Sequence, residues 1–74
     1  MNISELKRGE RAVVIKVDLP ILLKERLRSL GLYTGAKFTV LKASRRKQVF
    51  LIQAGGAKFA LNHELAAGVR VLRT

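Results

Sequence analysis

The sequence predicts a mainly β fold: a small five-stranded barrel with one α-helix inserted between strands 1 and 2. Three observations carry this. Five short segments, residues 11–18, 36–43, 48–54, 57–61 and 69–72, read as strands; most of them alternate apolar and polar side chains, as half-buried strands do. Residues 23–30 instead place leucines at 23, 27 and 30, a spacing that lines one face of a helix. The chain has 74 residues, enough for one domain over residues 1–74 and too few for two. Strands this short bury little as a flat sheet, whereas closure hides the core face and the edges together.

Each element follows from its own residues. In residues 1–9, Ser4 is expected to cap a single helical turn anchored by Ile3 and Leu6, with Gly9 ending it. In the first strand Val13, Ile15 and Val17 fall on one face, read as inward, and Ala12, Val14, Lys16 and Asp18 on the other. The helix is expected over residues 20–30. Pro20 is tolerated in its first turn, where the missing N–H has no partner to lose. Asp18 is placed to favour the positive end of the helix dipole. Lys24, Glu25, Arg26 and Arg28 fall off the leucine stripe, while Ile21 and Leu22 widen it. A helix this short is marginal alone and must be held by packing. Gly31 follows the last periodic residue and suits a left-handed stop, which brings Leu32 back towards Leu27.

Thr34-Gly35 turns the chain into the second strand, with Phe38 and Val40 inward and Leu41 outward. Ser44-Arg45-Arg46-Lys47 is a turn tipped with three adjacent positive charges, and Lys42 lies nearby. The third strand sends Phe50, Ile52 and Ala54 inward, and Gly55-Gly56 makes a tight hairpin. Phe59 and Leu61 point inward from the fourth strand, Lys58 outward. Asn62 is placed to cap a one-turn helix that carries Leu65 inward and ends at Gly68. Val69 and Val71 share one face of the last strand, Arg70 the other. In this register Val14, Leu41, Val49 and Leu51 are apolar yet outward. Either the helix covers them through Leu22, Leu23 and Leu27, or part of the patch stays open for a partner.

Several functions find no support in the residues. There is no cysteine and one histidine, so neither a disulfide framework nor a cysteine-based metal site exists. No apolar run approaches the ~18 residues of a membrane span, and the first residues lack the apolar stretch of a signal peptide. Cytoplasm is the expected location. The carboxylates Glu5, Glu10, Asp18, Glu25 and Glu64 form no nucleophile–base–orienter set, and Gly55-Gly56 lacks the lysine and hydroxyl residue of a phosphate loop. No enzyme and no cofactor are expected. His63 and Glu64 alone invite a surface divalent metal, but two adjacent residues on a turn make at most half a site. The formal net charge of +10 suits an acidic partner or solubility alone. Barrels that read nucleic acid usually expose aromatics for base stacking. Phe38, Phe50 and Phe59 read as core here, leaving Tyr33 alone, so nucleic acid is not favoured.

Residues 26–41, RLRSLGLYTGAKFTVL, resemble the arginine-leucine, leucine-glycine and second-glycine signature of the FeoA family. The likeness extends to Gly9, Phe59-Ala60-Leu61, Glu64-Leu65-Ala66 and Val69-Arg70-Val71. FeoA proteins are small cytosolic proteins of bacterial ferrous iron uptake, and similar domains end some iron- and manganese-dependent repressors. The resemblance implies an SH3-like barrel. It also implies a non-catalytic accessory protein that docks on the cytoplasmic, GTP-binding part of the membrane permease FeoB. On that reading the chain is recruited to the inner face of the membrane without inserting, and self-association stays open. The contact residues expected are Leu22, Arg26, Tyr33, Arg45, Arg46 and Lys47. The alternatives are a basic nucleic-acid-binding barrel and a metal-dependent regulatory domain.

Overall fold

The computed structural model describes residues 1–74. A 3-10 turn, Ile3–Glu5, leads into β1 (Arg11–Val17) and α1 (Ile21–Ser29). There follow β2 (Lys37–Ala43), β3 (Val49–Ala54), β4 (Ala57–Asn62), the short α2 (His63–Ala67) and β5 (Val69–Arg73). All pairings are antiparallel, in the order β4-β3-β2-β1-β5. The expected strands and the inserted helix are therefore present. Closure differs: β4 and β5 are the sheet's two edges and do not pair with each other. α2 sits at that seam, packed against β3, β4, β5 and the 3-10 turn. The reason is local. Asn62 at the end of β4 accepts a hydrogen bond on Oδ1 from the Leu65 N–H at 2.9 Å, and this cap turns the chain into α2 before it can reach β5.

Every buried residue is apolar, and two β-bulges decide which ones they are. β1 pairs Val14 with Val71 and then Lys16 with Arg70, leaving Ile15 as an extra residue. A bulge shifts the side-chain alternation by one. Ala12, Val14 and Val17 are buried, while Ile15 is 47% exposed. The inward face Val13-Ile15-Val17 expected from strict alternation is thus corrected, and Val14 belongs to the core. Leu41 is the extra residue of β2, between the pairs Val40–Ile52 and Lys42–Leu51. It bulges outward half-buried, and Ala43 packs against the core instead. Phe50, Ile52, Ala54, Leu61, Val69 and Val71 are buried as expected.

The amino-terminal turn is capped by Asn2, not by Ser4. Asn2 Oδ1 accepts from the Ser4 N–H at 2.9 Å, and Glu5 Oε2 accepts from the Asn2 N–H at 2.7 Å, a reciprocal box. Ser4 lies inside the turn. Ile3 and Leu6 anchor it and are fully buried. The segment also lies along the free side of β5: Asn2 bridges Arg70, and the Val71 N–H donates to the Met1 carbonyl at 2.9 Å.

α1 ends as its sequence demands. Leu32 N–H donates to the Leu27 carbonyl at 2.9 Å and Gly31 N–H to that of Arg28 at 3.0 Å, with Gly31 at φ +103°; this is a Schellman stop. Its start differs from expectation. Pro20 is the cap residue and has no side-chain cap. Asp18 lies two residues upstream, where its N–H donates to the Gly68 carbonyl at 2.7 Å. Only Leu27 of α1 is buried; Leu23 and Leu30 are half-buried. In α2 the buried residue is Ala66, with Leu65 half-buried. At Gly68 a Cβ would meet the end of the Leu19 side chain, which would have to shift to admit it.

Candidate partner-binding surface

α1 is held to the body along one line, and its remaining apolar surface faces water. Leu22 is 82% and Ile21 66% exposed. Neither covers Val49, which is 47% exposed, and the second small core expected beneath Leu22 does not form. Leu41 and Leu51 are half-buried.

Clefts flank α1 on both sides. One, of about 290 Å³, is lined by Lys24, Glu25 and Arg28 from the helix and by Val17, Leu32 and Tyr33. Tyr33 stands two residues past the glycine stop and is 51% exposed. On the other flank Leu23, Arg26 and Leu30 face Phe59, Ala60 and Leu65 across a groove of about 310 Å³. Arg26 therefore points away from Tyr33's side of the helix. Residues 59, 60 and 65 escaped sequence reasoning because Phe59 and Leu65 read as core and Ala60 figures only within the Phe59-Ala60-Leu61 family likeness. No signal in the sequence marks them, because the half-burial of Leu23 and Leu30 that opens the groove is visible only in the fold.

The basic tip is built by Ser44. Its Oγ accepts from the N–H groups of Gln48 at 2.9 Å and Val49 at 3.1 Å, and Lys47 N–H donates to the Ser44 carbonyl at 2.8 Å. The turn forces Lys47 to φ +54°, a conformation uncommon for a residue with a side chain. Arg45 and Arg46 are exposed and Lys47 half-buried. His63 reaches this loop: its Nδ1 lies 3.1 Å from the Lys47 carbonyl. A carbonyl only accepts, so Nδ1 carries the hydrogen and Nε2 is left free. His63 and Glu64 are not joined by a third ligand, for no three His, Cys, Asp or Glu residues cluster.

Charge on this surface is largely unopposed. The one ion pair joins Glu10 to Arg73, neither of them a residue of α1 or of the tip. Glu10's carboxyl is held below its ordinary value. The Lys7 backbone N–H, donating to Oε1 at 2.6 Å, is the main cause; partial desolvation works against it, and Arg73 adds to the lowering.

The FeoA domain profile matches residues 1–73. The chain belongs to the FeoA family. Among solved structures, this FeoA chain is 34% identical to the FeoA protein of Chlorobium tepidum, with a TM-score of 0.88, covering 96% of this chain and 68% of that one. It is 28% identical to an iron uptake regulatory FeoA protein, TM-score 0.89, over 100% and 97% of the two chains. It is 33% identical to Stenotrophomonas maltophilia FeoA, TM-score 0.81, over 96% and 88%. That protein was crystallised with zinc and is described as a prokaryotic SH3 domain protein. Among curated proteins none matches this FeoA sequence.

Proposed function

We propose that this FeoA domain is a non-catalytic accessory factor of ferrous iron uptake that docks on the cytosolic GTP-binding part of a FeoB-type permease. The observation that carries the reading is the exposed first turn of α1. Ile21 and Leu22 are held out in water on a helix whose buried anchor is Leu27. Large apolar side chains presented together on a rigid element suit a protein contact. Tyr33 adds an amphipathic ring beyond the glycine stop. Arg45, Arg46 and Lys47 supply the charge that guides an acidic surface into place. The Stenotrophomonas relative is itself proposed to act as a ferrous iron transport activating factor, which supports the same reading.

The test is capture by the permease's isolated cytosolic domain. Leu22→Asp is expected to abolish capture. Replacing Arg45, Arg46 and Lys47 together by Ala is expected to slow association while leaving a stable complex. Unchanged capture by both variants overturns this contact surface. Nucleic-acid binding is disfavoured because Phe38 and Phe50 are buried and Tyr33 is the only exposed aromatic. Tight RNA or DNA retention that collapses with salt would reverse that judgement.

A further inference from the structure

We infer that the free edge of β4 is a second docking site, one that takes an extended, acidic-flanked segment of another protein as an added β-strand. The sheet's two edges are treated differently. The β5 edge is lined by the chain's own amino terminus, through the Asn2–Arg70 bridge and the Val71-to-Met1 hydrogen bond. The β4 edge has no such cover: none of the backbone hydrogen bonds made outside the regular elements involves β4. Edge strands are usually protected by bulges, prolines or charged side chains, lysine especially. β4 pairs with β3 without a break in register, contains no proline, and carries Lys58 as its only charged residue.

The geometry of the groove beside it fits a strand. Phe59, Ala60 and Leu61 all line the groove, although successive residues of a strand point to opposite faces. A groove touched by all three must run along the strand's edge. Its far wall is α1, so the space lies between an edge strand and a helix, wide enough at about 310 Å³ for side chains of an inserted segment. The hydrogen-bonding groups are also in place. The two-residue turn pairs Ala54 with Ala57. The alternation this imposes directs Ala57, Phe59 and Leu61 to β3, and the N–H and C=O of Lys58 and Ala60 outward. Both residues are exposed.

Charge selects the occupant. Apart from Arg26 the groove is lined by apolar side chains, with no carboxylate. The basic tip lies beyond the carboxyl end of β4, tied to it through the His63–Lys47 contact. A segment with apolar residues at alternate positions and acidic residues at its end satisfies groove, edge and rim together. A second copy is a poor fit, because two chains of net charge +10 repel. This site lies on the opposite flank of α1 from Tyr33 and holds whether or not the partner is the permease.

The probe is a phage-displayed dodecapeptide library panned on the intact chain. Selected peptides are expected to alternate apolar residues and to carry Asp or Glu at one end. Adding the best synthetic peptide should slow hydrogen exchange at the Lys58 and Ala60 amides at least tenfold. Methylating alternate backbone nitrogens of that peptide should weaken binding more than tenfold in one register and leave it unchanged in the other, a readout that requires no protein variant. Arg26→Glu should also weaken binding about tenfold. Selected peptides that leave both amides unprotected, or that tolerate methylation in both registers, overturn the inference. So does a panning that yields no binder, or sedimentation showing β4-dependent dimers.

Discussion

Gly31 carries two constraints at once. Its φ of +103° lies where a Cβ is penalised by about 1–2 kcal/mol, and that Cβ would sit 3.3 Å from the Ala54 carbonyl oxygen. Gly31→Ala is therefore expected to lower stability by about 1–2 kcal/mol, read as a shift in the urea midpoint without a change in slope. Glu10 predicts a pH response. Its folded-state pKa lies below the ordinary 4.5, so its stabilising contribution is complete above that value and disappears as pH falls through the lowered one. Acid titration of the melting temperature should show this loss in the wild type. It should be diminished in Glu10→Gln, whose neutral amide has no proton to take up. An identical acid limb in the two proteins would show that Glu10 does not govern it.

At the scale of elements, α1 hangs from Leu27. Leu27→Ala is expected to cost about 2–4 kcal/mol, whereas Leu22→Asp, at 82% exposure, should stay within about 0.5 kcal/mol of wild type. Chemical denaturation checks both. The contrast also matters for the capture experiment, because lost binding by Leu22→Asp then reports the contact and not unfolding. The helix and its stop were legible because leucine spacing and a glycine act locally. The strands were legible, but the inner face of β1 was not. Which of Val13 or Val14 is buried depends on Ile15 having no partner across from β5, and pairing between residues so distant leaves no mark on alternation. Ser4 and Asp18 show a similar limit. Both are good caps in isolation, yet Asn2 and Pro20 occupy the cap positions. The basic tip was visible as a run of residues. The β4 groove was not, because it exists only where α1, β4 and α2 meet.

For the whole molecule, fifteen basic side chains against five acidic ones, with a single ion pair between them, mean net self-repulsion. Raising salt from about 10 to 500 mM shortens the screening length from about 30 Å to below 10 Å. The melting temperature is therefore expected to rise over that range. A melting temperature that falls would mean local attractions outweigh the excess charge. The bulges at Ile15 and Leu41 have a different reach, into heredity. Loss of either codon would join Val14 to Lys16, or Val40 to Lys42, in unbroken pairing, and the same side chains would still face the interior. Descendants of this gene can shorten there by one amino acid at little penalty, while an equal loss at Phe59, in the unbroken pairing of β4 with β3, would turn the rest of that strand inside out.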